Sequence, residues 1–317
     1  MHMSGNFALI ALALLFLFLG AEGLVRGSAS LALRAGLSPL MVGLTIVAFG
    51  TSSPELFACV KAALSQQGDI AVGNVVGSNS FNIGVILALA ALVCPIPVHK
   101  QIIKIDAPIA LVVALLLPFL LRNHTLGRVQ GLLLITGIVA YASMNVFLAR
   151  RVAIAGTENL TDAPVLAVSR HWGMDIAYIV VGLGLLVFGS SLLVDNSVVV
   201  AKAFGVSEAV IGLTIVAAGT SMPELATSLV AAVRKQPDIA VGNVVGSNVF
   251  NILGILGLAS IVSPLRAPGV SMLDYIVMIG FTVLLIPLLY TGRLLHRLEG
   301  GALLALYGVY VFILWPE

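Results

Sequence analysis

Stretches of roughly eighteen or more apolar residues recur along this 317-residue chain, each long enough to cross a hydrocarbon core as a helix. Charged residues make up only 9% of the chain and hydrophobic residues 60%, whereas charged residues are about a quarter of an ordinary globular chain. The mean hydropathy is +1.12. Short segments of alternating polarity, which mark a membrane β-barrel, are absent. The chain is therefore expected to be an all-α polytopic membrane protein. The N-terminus runs MHMSGNF directly into Ala8–Gly20 without a basic leader, so it reads as the first span and not as a removable signal. A net charge of +2 and the lack of a basic tract give no sign of nucleic-acid binding. Cys59 and Cys94 lie in apolar segments and form no metal or disulfide pattern, as buried free thiols commonly do.

Ten spans are expected, by length and hydropathy. Five cover roughly 7–33, 38–64, 70–94, 103–121 and 126–149, and five more cover roughly 174–202, 208–233, 239–262, 271–290 and 299–315. The longest polar stretch lies between the two sets. The organisation is then an N-terminal five-helix repeat (1–149), a cytoplasmic linker (150–172) and a C-terminal five-helix repeat (173–317). The halves are copies. GLTIVAFGTSSPEL at 43–56 matches GLTIVAAGTSMPEL at 212–225 in 12 of 14 positions. QGDIAVGNVVGSNSFNI at 67–83 matches QPDIAVGNVVGSNVFNI at 236–252 in 15 of 17, at the same offset of 169 residues. An odd number of spans per half makes the second copy enter the membrane from the opposite side, so the repeats are inverted. With the N-terminus outside, ten of the 16 basic residues fall on the cytoplasmic side and five outside, with Arg26 inside span 1. That distribution favours external termini.

Glu55 and Glu224 fall in mid-membrane, where an ionised carboxylate costs several kcal/mol and needs a partner or a task. No Lys or Arg lies between Arg34 and Lys61, or between Lys202 and Arg234, so a mobile cation is the best candidate for the missing charge. Pro54 and Pro223 have no N–H, which frees the carbonyls of Gly50 and Gly219 and, with the Gly-Thr-Ser sequences just before them, predicts a helix break. The freed carbonyls and the hydroxyls of Thr51, Ser52, Thr220 and Ser221 are then expected to face the glutamates, in irregular backbone of the kind that lines transporter sites. Asn74, Ser78 and Asn82 share one helix face, repeated by Asn243, Ser247 and Asn251. Ligation is expected of the serines and of Asn82 and Asn251, while Asn74 and Asn243 are equally suited to interhelical hydrogen bonding. Gly73 with Gly77, and Gly242 with Gly246, suit close helix approach. The donor set is all oxygen, which fits a hard cation such as Ca2+. Two carboxylates balance one Ca2+ or two Na+.

GTSSPE with GNVVGSNSFN, and GTSMPE with GNVVGSNVFN, resemble the motifs of the Ca2+/cation antiporter superfamily, in particular its prokaryotic sodium/calcium exchanger branch. The two blocks cover about a quarter of the chain, and the repeat plan fits its full length. The resemblance implies a secondary antiporter exchanging Na+ for Ca2+ by alternating access, in the inner membrane of a prokaryote. It implies that Glu55 and Glu224 are central Ca2+ ligands joined by Thr51 and Thr220. Ala48, Ser52, Ser78, Ala217, Ser221 and Ser247 would form flanking Na+ sites, with Asn82 and Asn251 completing the ring. It also implies that spans 1 and 6 move, and their glycines (Gly20, Gly23, Gly27, Gly182, Gly184, Gly189) offer smooth surfaces to slide past the core. Archaeal exchangers commonly carry Asp at the position of Asn251, and K+-dependent relatives carry it at both Asn positions, so Asn at both argues against K+ co-transport. Arg26 and Asp195, at equivalent positions of the two repeats, are candidates for a membrane-embedded pair or for matched gating contacts.

Other functions fit less well. An H+-coupled Ca2+ antiporter would use the same glutamates, but GTSxPE departs from the motif of the proton-coupled branch. A cation channel could also use paired glutamates, whereas inverted repeats with broken helices suit a carrier. An enzyme needs a nucleophile–base pair or a metal motif, and neither is present in the sequence. No cofactor and no obligate protein partner is expected; Ca2+ and Na+ are the substrates and the lipid bilayer the surroundings.

Overall fold

The computed structural model describes residues 3–35, 37–155, 171–204 and 217–314. Helices dominate it. In the first half α1 (Met3–Ala35) is followed by α2 (Pro39–Thr51), α3 (Ser53–Leu64), α4 (Gly68–Val93), α5 (Ile102–Leu120) and α6 (Arg128–Ala155). The second half has α7 (Trp172–Ala203), α8 (Ala217–Thr220), α9 (Met222–Val233), α10 (Pro237–Val262), α11 (Met272–Tyr290) and α12 (Arg297–Leu314). Among the described residues eight helices are long and apolar enough to cross a membrane, and α2 with α3, bent by 45°, make a ninth. Of the expected span 208–233 only α8 and α9 are described. The other spans fall within a few residues of expectation, except that α6 continues to Ala155, into the expected linker. Residues 156–170 of that linker lie outside the described residues.

Local chemistry sets the helix boundaries. Ser38 caps α2 by accepting from the Met41 N–H, with Pro39 in the first turn, where its missing N–H costs nothing. At α11, Ser271 and Asp274 form a reciprocal capping box. The loops carry four two-residue strands. β1 (Ile96–Pro97) pairs with β4 (Leu294–Leu295), and β2 (Thr125–Leu126) pairs with β3 (Leu265–Arg266), both antiparallel. Each small sheet thus takes one strand from each half. The 19-residue α11 separates β3 from β4 and puts the sheets roughly 28 Å apart, at opposite ends of that helix.

The centre of the molecule is α4 and α10. Their most apolar stretches are 78% and 83% buried, against 17–44% for the other six unbroken spans. Outward faces of the remaining helices carry large exposed apolar side chains such as Phe57, Phe312 and Leu298, as lipid contact requires and water would not favour. Gly246 is where α10 meets α2: a methyl group there would stand 2.7 Å from the Leu44 carbonyl oxygen. Gly73 and Gly77 show no such close approach among the described residues; in the repeat of α2, 208–220, positions 208–216 lie outside those residues.

α1 and α7 form an antiparallel pair along their length. A methyl group on Gly20 would lie 2.8 Å from the Gly182 carbonyl oxygen, and one on Gly189 would lie 3.1 Å from that of Ala13. This corrects the expectation of glycine surfaces sliding past the core. Gly20, Gly23, Gly27, Gly182 and Gly189 instead let the two helices grip each other. Arg34 closes one end of the pair with an ion pair to the buried Asp175 at 2.7 Å. The suggested Arg26–Asp195 pair is also corrected. Arg26 bonds Glu22 one turn earlier on its own helix, and Glu22 is held from the other side by Arg234 at 2.7 Å, while Asp195 is exposed.

Candidate cation site

The two helix breaks create the site. Ser52 leaves helical geometry at ψ 10° between α2 and α3, and Ser221 does the same between α8 and α9. Pro54 and Pro223 sit in the first turn of the helices that follow, so the ring that prevents a continuous helix is accommodated at a new N-terminus. Glu55 and Glu224 occupy those first turns, where the exposed N–H ends of the backbone favour an anion. Both are essentially inaccessible to solvent.

Each carboxylate is held by the break of the other half. The Ser52 hydroxyl donates to Glu224 Oε1 at 2.7 Å, and the Ser221 hydroxyl donates to Glu55 Oε1 at 2.9 Å. Ser52 also lies 3.0 Å from the Ser247 hydroxyl of α10, and Ser221 lies 3.2 Å from that of Ser78 on α4. The Thr51 hydroxyl is 3.0 Å from Asn243 Oδ1, and Thr220 is 3.4 Å from Asn74 Oδ1. The Ala48 carbonyl takes the Ser52 N–H and lies 3.5 Å from the Ser247 hydroxyl. Glu55, Glu224, Thr51, Thr220, Ser52, Ser221, Ser78, Ser247 and Ala48 thus meet around one centre. Ala217 opens α8 next to it. Asn82 and Asn251 each begin a wide π-helical segment (Asn82–Leu87 and Asn251–Leu256), a local unwinding common at functional positions. α3 packs against the segment that starts with Asn251, and α9 against the one that starts with Asn82.

Among the described residues, four acceptor oxygens in this region have no hydrogen-bond donor: Glu55 Oε2, Glu224 Oε2, Asn82 Oδ1 and Asn251 Oδ1. Among the described residues neither glutamate has an ion-pair partner. A buried acceptor left unmatched costs free energy, and an ionised one costs more. The four come as two symmetry-related pairs, a pattern that a hard cation would complete with oxygen ligands. Asn74 and Asn243 take the interhelical role: Asn243 donates to Ser228 at 3.0 Å and Asn74 to the Cys59 sulfur at 3.4 Å.

One expected feature differs. The Gly219 carbonyl freed by Pro223 does not face the glutamates; the Ser190 hydroxyl of α7 takes it. Sequence reading also passed over Asn79 and Asn248, which bond to Asn251 and Asn82. They stood in plain view inside the repeated GSN sequence, but lay off the face that carries Ser78 and Asn82.

Fold and geometry together define a polytopic helical membrane protein in which buried oxygen atoms from both halves gather at two helix breaks. The sodium/calcium exchanger protein family matches residues 5–147 and 174–315, and the chain belongs to that family. Its relatives are transporters and not enzymes. It is 38% identical over 259 residues to the inner membrane protein YrbG of Escherichia coli, covering 81% of this chain and 80% of that one. It is 37% identical to the putative antiporter CaxA of Alkalimonas amylolytica (97% and 98% covered) and 31% identical to the sodium/calcium exchanger MaX1 of Methanosarcina acetivorans (98% of each). Among solved structures, the sodium-calcium exchanger NCX_Mj soaked with Na+ and Ca2+ superposes with a TM-score of 0.84 at 28% identity, covering 98% of this chain and 99% of that one.

Proposed function

We propose that this protein exchanges Na+ for Ca2+ across a prokaryotic inner membrane by alternating access, through one central site. Glu55 and Glu224 supply the charge, Asn82 and Asn251 neutral oxygens between them, and Thr51 and Thr220 further contacts. Ala48, Ser52, Ser78, Ala217, Ser221 and Ser247 form the flanking Na+ positions. The observation that carries the reading is the set of four buried acceptors without donors among the described residues, two of them carboxylate oxygens. Their total charge balances one Ca2+ or two Na+, which makes the two loads mutually exclusive. The name of the relative MaX1, a sodium/calcium exchanger aligned over almost the whole chain, supports the choice of ions.

The proposed architecture is ten spans in two inverted repeats, 1–149 and 173–317, joined by a cytoplasmic linker at 150–172, with both termini external. The crossed strands support the inversion. β1 follows α4, and its partner β4 lies at the far end of α11 from β3, which follows α10. The ends of the equivalent helices α4 and α10 then fall on opposite faces.

The test is Ca2+ uptake into liposomes carrying the purified protein, with outward Na+, K+ and H+ gradients imposed in turn and Glu55→Gln alongside. Uptake that requires Na+ and is lost in the variant is the expected result. Uptake driven by H+ alone would keep the site and replace the coupling ion.

A further inference from the structure

Where α4 meets α10, Asn79 and Asn248 form a crossed pair. The Asn79 amide nitrogen donates to the Asn248 backbone carbonyl at 3.1 Å, and the Asn248 amide nitrogen donates to the Asn79 carbonyl at 3.2 Å. A backbone carbonyl only accepts, so the nitrogen end of each amide is committed and each Oδ1 faces away from that bond. Those two oxygens receive, at 2.9 Å, the amide nitrogens of Asn251 and Asn82 respectively. With their nitrogens so directed, Asn82 and Asn251 carry their Oδ1 atoms on the opposite side of the amide, buried and without a donor among the described residues. The orientation of all four amides therefore follows from two backbone carbonyls.

We propose that Asn79 and Asn248 are positioning residues of the cation site, which lock Asn251 and Asn82 so that each offers the site a carbonyl oxygen and never an N–H. The inference rests on the cation-site reading above. It gives the relay two tasks. An unlocked amide is free to turn and aim an N–H at a cation, which repels it. The relay also selects amide over carboxylate at both positions: an Asp at 82 would set an oxygen against Asn248 Oδ1, acceptor against acceptor. The protein charge of the centre is thereby held to the two glutamates.

The experiment is a double-mutant cycle in the liposome assay, reading the Ca2+ concentration for half-maximal Na+-driven uptake, the maximal rate, and the Ca2+-dependent rise in unfolding temperature of the purified protein. Asn79→Ala, Asn251→Ala and their combination form one cycle; Asn248→Ala, Asn82→Ala and their combination form the symmetry-related one. Asn79→Ala is expected to raise half-saturation about tenfold, the loss of one well-placed interaction, with a smaller change in maximal rate. The double variant should be no worse than Asn251→Ala alone, because Asn79 acts through Asn251. Additive effects, or a lower rate at unchanged half-saturation, would overturn the proposal. Where an Ala variant is not recovered folded, Asn79→Ser or Asn248→Ser takes its place. If none of these folds while Asn251→Ala does, the pair belongs to the scaffold and the proposal fails. A wild-type protein without Na+-driven uptake, or a Glu55→Gln variant that retains it, would instead overturn the functional reading.

Discussion

The central block and the outer pair α1/α7 treat the internal repeat in opposite ways. At the centre the symmetry is reciprocal bond for bond: Ser52 to Glu224 and Ser221 to Glu55, Asn79 to Asn248 and the reverse. In α1 and α7 the contacts of Gly20 and Gly189 keep the symmetry, while Gly23, Gly27 and Gly182 correspond to Leu192, Asn196 and Ala13, and the polar contacts lose it. Glu22, Arg26 and Arg234 correspond to Ser191, Asp195 and Ser65. The Arg34–Asp175 ion pair corresponds to Ala203 and Asn6, and Ser190, which caps the Gly219 carbonyl, corresponds to Ala21. The difference has a physical reason. At the centre each half completes the other, so a change in one copy leaves a buried polar group of the other without its partner. In the outer pair Arg34–Asp175 and Arg234–Glu22 also join the two halves, but each is made once: the equivalent positions hold Ala203 with Asn6 and Ser65 with Ser191, which carry no charge to be matched.

The comparison can be broken most directly at the carboxylates. Glu55→Gln and Glu224→Gln are each expected to abolish Ca2+ uptake, since an amide cannot balance the cation charge in a buried site. Survival of transport in one of the two would end the claim of functional symmetry. Next in size is Arg34→Met, which leaves the buried Asp175 carboxylate without its ion pair. A loss of about 3 kcal/mol is expected, seen as a lower unfolding temperature in detergent and largely restored by adding Asp175→Asn. Ser190→Ala takes the donor from the Gly219 carbonyl and should cost about 1–2 kcal/mol by the same measurement. The reverse change in the other half, Ala21→Ser, should move stability less. Smallest is Glu22→Gln. Its partners Arg26 and Arg234 are both exposed, with side chains 51% and 40% accessible, so the change should stay within about 0.5 kcal/mol. A large effect there would mean that the outer pair depends on its surface charges.

Much of the site was legible because chemistry and position coincide in the chain. Glu55 and Glu224 are exceptional in an apolar run, and a proline one residue earlier marks the break that sets each at a helix start. Ser52, Ser78, Ser221 and Ser247 followed from the repeated motif and from helical spacing. The Gly219 carbonyl was correctly read as freed by Pro223, but its taker, Ser190, lies on a helix 29 residues away. Glu22 stands four residues before Arg26, a readable helical pair that the symmetric but exposed Asp195 obscures. The glycines of α1 and α7 read as smooth surfaces facing the core, whereas Gly20, Gly23, Gly27, Gly182 and Gly189 face the partner helix, since composition names a smooth face without naming what it meets.

By itself, the sequence determined the membrane class, the duplication at one offset, the helix breaks and the identity of the charged groups. Each of these depends on residues near one another in the chain or on a comparison of the chain with itself. Only the tertiary structure decided which oxygens are left without donors. That depends on how amides and hydroxyls from opposite halves share their few protons, and the sharing is settled where α4 and α10 meet.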